Sequence, residues 1–162
     1  MSLPSNKKAH VHLLMKHLIE VVASIVVGSA VAIISSFLYA VWIQLSPSLI
    51  TSLVPRSITT PVAMDVSKTI GGVPTLTAVF VIITGITGSI VGPGMIRLLK
   101  IEKATAKGLM HGMSSHGAGT SRAFEIGDLE GTFASLAMIT AAIITIILAY
   151  TIFPALQNEL II

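Results

Sequence analysis

The sequence predicts an all-α integral membrane protein with three transmembrane helices and two re-entrant, broken-helix hairpins of opposite orientation. Of its 162 residues, 53% are hydrophobic and only 10% are charged, whereas soluble domains carry about 25% charged residues. Two polar stretches rich in glycine and proline separate the apolar runs, and both carry charges that are costly at membrane depth. The alternative for each run is a buried helix of a soluble protein, but three such runs leave too little polar sequence to cover them.

Three apolar runs are long enough to cross a bilayer, which takes about 20 residues. Leu18–Leu45 carries no charge after Glu20, and neither Thr75–Met95 nor Thr132–Phe153 carries any. We expect Gly92-Pro93-Gly94 to end the second span, because proline lacks a backbone donor and glycine commonly follows helix ends.

The distribution of lysine and arginine predicts the orientation. A basic segment, residues 1–17, precedes the first span, and four basic residues follow the second span between positions 97 and 107. Between these two spans the only basic residues are Arg56 and Lys68. The N-terminus is therefore predicted to be cytoplasmic, and residues 46–74 are predicted to start and finish outside.

That outer section is too long and too apolar for a plain loop. A re-entrant hairpin fits it: Ser48–Val54 descends, the chain turns at Thr59-Thr60-Pro61, and Val62–Ile70 returns. Irregular backbone at membrane depth must line a cavity or be buried in protein.

The second polar section predicts a matching hairpin from the opposite face, with Ala104–Met113 descending and Ser121–Leu129 returning. Each hairpin is followed by one span. Residues 46–99 and 100–153 thus form two units of opposite topology, the inverted-repeat plan of many secondary transporters, whose sites lie at the repeat interface.

The first turn offers polar groups for a substrate. Thr59 and Thr60 supply hydroxyls, and Pro61 frees a carbonyl. Asp65 and Lys68 are three apart and share a helix face. Asp65 is a candidate for ion or proton coupling, and the alternative is a local ion pair near the membrane surface.

The second turn combines hydroxyls, an imidazole and exposed amides at a helix start, which attracts anions. The candidate binding residues are Ser115, His116, Gly119 and Thr120, and Arg122 can grip a carboxylate bidentately. For His116 the alternative is a polar helix cap.

Glu125 lies three residues after Arg122, so it either pairs with Arg122 or carries a coupling proton. The alternative for Arg122 and Glu125 is a structural ion pair that holds the hairpin.

The residues predict no enzyme, no cofactor and no metal. Ser115 and His116 are adjacent, a poor geometry for a nucleophile and its base. His111 and His116 are five apart, and cysteine is absent, so metal-ligand spacing is missing. The basic residues form no aromatic-interleaved patch that would predict nucleic-acid binding.

At these turns the sequence resembles the CidB/LrgB family of bacterial membrane proteins, whose plant relatives include the plastid glycolate/glycerate translocator. The matching stretches are Pro55–Met64, Ile70–Phe80 and Gly112–Ala123, and the match continues through residues 125–138. The resemblance covers an LrgB-like transmembrane domain over residues 18–162. The family's second turn varies at the positions that Gly117, Ala118 and Ser121 occupy here. The key residues of that turn are kept, namely Ser115, His116, Gly119, Thr120 and Arg122.

The resemblance implies two versions of function in a bacterial plasma membrane. One is carriage of small carboxylates such as pyruvate or glycolate, which would influence autolysis. The other is an antiholin-like regulator of murein hydrolase activity that acts through a small CidA/LrgA-type partner.

Family members usually carry further N-terminal helices, so the resemblance also implies a fragment or a short homologue. Three spans alone bury little, which predicts a homo-oligomer or a complex with the small partner. The candidate contact is a stripe of small residues on span one, Gly28, Ala32 and Ser36.

Overall fold

The computed structural model describes Met15, residues 18–151, Phe153 and Pro154, and this part of the chain contains helices and no strand. The basic segment predicted over residues 1–17 lies outside the described residues, except Met15. The helices are α1 (Leu18–Trp42), α2 (Pro47–Leu53), a 3-10 turn (Val54–Ser57), α3 (Thr60–Thr69), α4 (Pro74–Leu98), α5 (Ala104–Ile126) and α6 (Asp128–Thr151).

Three of these helices, α1, α4 and α6, are long and apolar enough to cross a membrane. The three predicted spans are thus confirmed by length and composition. Each turns large apolar side chains outward at helical spacing. On α6, for example, Ile139, Ile143 and Ile147 repeat every four residues and are more than half exposed. Such a stripe suits contact with lipid.

The prediction that Gly92-Pro93-Gly94 ends the second span is wrong, because α4 continues to Leu98 with Pro93 inside it. Proline removes one backbone hydrogen bond. In lipid, leaving the helix would expose several backbone groups, so keeping the helix and losing one bond is the cheaper choice.

Aromatic and aliphatic side chains hold α1 against the two ends of α6. Phe37 of α1 packs edge to face on Phe153, with ring centroids 5.9 Å apart, and both rings are buried. Near the start of α1, Val21 and Ile25 form a second cluster with Phe133 of α6.

The small residues of α1 serve contacts within the subunit. A Cβ at Gly28 would meet the Met113 side chain of α5, and Ser36 is buried beside Arg56. These two members of the predicted oligomer stripe are therefore already covered by the protein's own α5 and 3-10 turn, which removes them as a free contact surface.

Candidate functional site

The first break in the helical chain follows the 3-10 turn. Ile58 and Thr59 are extended, and α3 then begins at Thr60. The chain on either side of this break is joined by a hydrogen bond, because the Val73 amide, which follows α3, donates to Ser52 Oγ of α2 at 2.8 Å. The chain therefore leaves and returns within one compact loop.

A buried hydroxyl cluster fixes this loop to α4. Thr77 Oγ1 lies 2.9 Å from the Ser52 carbonyl oxygen and 2.7 Å from Ser67 Oγ. All three residues are fully buried. Since unpaired polar groups are costly in such a place, the cluster specifies how the two limbs sit on α4.

The second break lies inside α5 at His116, whose backbone is non-helical with φ 48° and ψ −122°. In a continuous helix residues 111 and 119 would lie about 12 Å apart. Here a Cβ on Gly119 would overlap the His111 carbonyl oxygen and lie 2.7 Å from Ser115 Cβ. Residues 104–115 and 117–126 therefore form two arms folded against each other, and Gly119 is required where they touch.

The two breaks meet around a cavity of about 360 Å³, and α4 supplies the rest of its wall. The first break contributes Thr59 and Thr60, and the second contributes Ser115 and His116 together with the exposed Gly117. The volume is within the range of small-molecule sites, about 300–1,000 Å³. Predicted binding residues from both turns thus line one cavity.

Two helix N-termini lie at the wall of this cavity. One is the start of α3 at Thr60, and the other is the start of the second arm of α5 at Gly117. The first N–H groups of a helix have no internal partner, and the aligned peptide dipoles give this end a partial positive charge. The wall is therefore suited to an anion.

His116 adds a buried imidazole to the wall. Its side chain is almost completely buried, its ring interacts with the Ser57 backbone, and Nε2 has no hydrogen-bond partner among the described residues. A buried polar atom without a partner is rare. Nε2 therefore remains an unsatisfied polar atom in a residue of the cavity wall.

Arg56 is half-buried and is not among the residues that line the cavity, but it lies close to the wall. It donates to Ser36 Oγ from Nε at 3.1 Å and from Nη2 at 2.9 Å, and to Thr84 Oγ1 from Nη1 at 3.2 Å. No carboxylate of the described chain forms a salt bridge with it. Its charge reaches the His116 ring. A cation held by neutral hydroxyls is left without a counter-ion.

The sequence interpretation used Arg56 only for topology and missed this position. A signal was present: no acidic residue lies three or four positions from Arg56, whereas Arg122 has Glu125 three residues on. An arginine without a helical partner, inside an apolar hairpin, is the better candidate for an external anion.

The other predicted site residues lie away from the cavity wall. Gly119 and Thr120 are buried behind it, and Thr120 Oγ1 lies 3.8 Å from the Met138 sulfur. Arg122 and Glu125 pair with each other, with side chains 53% and 62% exposed.

In the first hairpin, Pro61 and Asp65 are exposed. Asp65 forms no salt bridge with Lys68, although both residues belong to the described part of the chain. Within that part, no group of three histidine or acidic residues is arranged to hold a metal ion.

Fold and site together define a helical membrane protein with a small cavity between two breaks in its helices, where hydroxyls and an imidazole stand among apolar side chains. The chain belongs to the LrgB-like family, whose sequence model matches residues 8–155. It is 51% identical over 133 residues to the uncharacterized protein YwbG of Bacillus subtilis (strain 168), an alignment that covers 82% of this chain and 59% of YwbG.

A second Bacillus subtilis relative, the uncharacterized protein YxaC, is 36% identical over 82% of this chain and 58% of its own length. The holin-like protein CidB of Staphylococcus aureus (strain N315) is 39% identical over 78% of this chain and 55% of its own length. The chain thus spans a little over half the length of the relatives it matches. No solved structure matches the sequence.

Proposed function

We propose that this protein carries small organic carboxylates across a bacterial membrane, with the anion bound in the cavity between the two breaks. The observation that carries the proposal is Arg56, a half-buried guanidinium with three hydrogen bonds to two hydroxyls and no carboxylate partner in the described chain. A charge at membrane depth persists when it pairs with something or faces a pathway, and a bound carboxylate would complete the pair.

The cavity wall supports the same class of ligand. The amides at the starts of α3 and of the second α5 arm suit carboxylate oxygens. The hydroxyls of Thr59, Thr60 and Ser115 suit a hydroxyl or keto group on the same molecule, and His116 Nε2 adds one more polar contact. Arg56 supplies one positive charge without a carboxylate partner among the described residues, and one such charge favours a monoanion.

The topology proposed with this function is two re-entrant hairpins that enter from opposite faces, in an inverted repeat, with the N-terminus in the cytoplasm. Two broken segments that meet at one cavity are what such a repeat produces. Cysteine labelling tests the arrangement. Thiols introduced at Ser48 and at Ala104 should react from opposite sides of the membrane, and labelling of both from one side would rule out the inverted arrangement.

Asp65 and Glu125 remain proposals for groups that bind a coupling ion or proton. Their exposure suits contact with water or with another protein, and neither residue lines the cavity. Arg122, neutralised by Glu125, has less charge to offer an anion than Arg56 has.

A second candidate function is regulation of autolysis through a small CidA/LrgA-type membrane partner, without transport. The observation that favours it is the relatives named holin-like protein CidB. Its weakness is the cavity, since a subunit that only packs against a partner gains nothing from a half-buried Arg56 that has no carboxylate partner in the described chain.

Uptake by reconstituted protein separates the two functions. The 162-residue chain in liposomes, alone or with a CidA/LrgA-type protein, should take up radiolabelled glycolate faster than empty liposomes. Arg56→Gln should reduce that uptake at least about tenfold, because hydrogen bonds to charged groups contribute about 1.5–3 kcal/mol. Arg97→Gln is the matched control, since Arg97 is exposed at the end of α4. Copurification with the partner but no uptake in either preparation would favour regulation.

A further inference from the structure

His111 is a buried imidazole that the proposed anion site does not use. It lies on the first arm of α5, its side chain has no exposed surface, and neither ring nitrogen has a hydrogen-bond partner among the described residues. Nearly all buried polar groups in proteins are paired, so a ring with two unpaired nitrogens requires an explanation.

The ring lies against the part of α4 where the helical hydrogen bonding is interrupted. A Cβ added to Gly92 would lie 3.3 Å from Cε1 of His111 and 3.5 Å from Nδ1. Pro93 follows and has no N–H, so the Ser89 carbonyl four residues earlier loses its helical donor. Ser89 and Gly92 are three apart and share a face of α4. An imidazole without partners and a carbonyl without a donor thus belong to one interface.

On α5 itself, Lys107 lies four residues before His111, and Arg122 of the second arm is paired with Glu125. From α4, Arg97 is exposed. From α6, the Glu130 carboxylate lies against Gly127.

The remaining two neighbouring elements carry their charges elsewhere. Glu20 of α1 lines a separate pocket with Lys103, and Arg56 of the 3-10 turn faces His116. Because its side chain is fully buried, a positive charge on His111 is disfavoured while the anion cavity is empty.

We propose that His111 is a proton-binding site coupled to the anion cavity. It is neutral when the cavity is empty and takes a proton from solution when a carboxylate is bound, with the imidazolium donating to the Ser89 carbonyl. This inference rests on the proposed function.

The coupling follows from distance and charge. His111 lies one helical turn, about 6 Å, before Ser115 in the cavity wall. An anion at that range attracts a proton to the ring. One charge of each sign then enters the protein together, which lowers the cost of holding either at membrane depth.

Nitrogen-15 NMR of histidine-labelled protein in detergent micelles tests the inference directly. Spectra are recorded between about pH 5 and 8, where imidazoles titrate, with glycolate or with its neutral amide, glycolamide. His111→Gln and His116→Gln assign the two buried rings. We expect glycolate to convert the His111 signals from neutral to imidazolium, and glycolamide to leave them unchanged.

The outcomes are distinguishable. If glycolate shifts the His116 signals while His111 stays neutral over the whole range, the proton site is wrong and the carboxylate site stands. If neither ring responds to glycolate, the carboxylate site fails and the coupling fails with it.

A second measurement reads the proton itself. Glycolate added to weakly buffered protein should take up about one proton per molecule bound, so its apparent Kd should change by up to about tenfold per pH unit. His111→Gln should abolish this dependence, whereas His12→Gln, in the N-terminal stretch outside the described residues, should keep it. An unchanged pH dependence in His111→Gln would overturn the inference.

Discussion

Gly119→Ala tests the folded-back arms of α5, because the side chain it adds has no room. The new methyl group would overlap the carbonyl oxygen of His111 and lie 2.7 Å from Ser115 Cβ. Carbon atoms in contact prefer separations of about 3.5–4.0 Å, so the arms would have to separate by about 1 Å. Backbone cannot yield as a flexible side chain does.

The expected loss of stability is about 1–3 kcal/mol, the usual cost of overpacking a well-packed interior. Gly117→Ala is the matched control on the same arm. Nothing lies within 4 Å of a Cβ at Gly117, so this change should be neutral or stabilise the helix by up to about 1 kcal/mol. The two single-methyl additions, two residues apart, should thus differ in sign or differ by at least about 1 kcal/mol.

Unfolding of the purified protein in mixed detergent and SDS micelles, followed by circular dichroism, measures this difference. Gly119→Ala should unfold at a lower SDS fraction than wild type, and Gly117→Ala at an equal or higher one. If Gly119→Ala were as stable as Gly117→Ala, the arms would not be in contact at this point, and the path of the chain around His116 would have to be redrawn.

Two further predictions concern stability. Thr77→Val should cost about 1–3 kcal/mol, because it leaves buried partners of the hydroxyl cluster unsatisfied, whereas the exposed Thr75→Val should stay within about 0.5 kcal/mol; equal SDS midpoints for the two would contradict the cluster. Arg122→Gln should change stability by less than about 1 kcal/mol, since its partner Glu125 is also exposed; a larger loss would show that this pair holds the hairpin.

Hydropathy and the positions of helix-breaking residues predicted much of the fold. The three spans follow from charge-free runs that need no tertiary information. Both breaks lie where proline, glycine and hydroxyl residues were expected to interrupt helices, at Thr59 and at His116. The Gly92-Pro93-Gly94 prediction failed because those residues were treated as they behave in water. In lipid a helix keeps its remaining hydrogen bonds through a proline.

The site was predicted only in part, because its charge is set by contacts distant in sequence. Thr59 and His116 were expected to face a common site, and they line one cavity. Arg56 is held by Ser36 and Thr84, which lie 20 and 28 residues away. No local pattern reports such partners. Arg122 was predicted to bind the anion because it follows the second turn. Its ion pair with Glu125 and its exposure are set by the folded surface.

We propose that Arg56, half-buried and without a carboxylate partner among the described residues, provides the charge that binds a carboxylate. Calorimetric binding of glycolate and of neutral glycolamide to the folded, detergent-solubilised protein tests it most directly. We predict that glycolate binds more tightly than glycolamide, and that Arg56→Gln weakens glycolate binding at least about tenfold while leaving glycolamide unaffected. Arg122→Gln should change it less than about threefold. Unchanged glycolate affinity in Arg56→Gln, with a large loss in Arg122→Gln, would contradict the claim and return the anion site to Arg122.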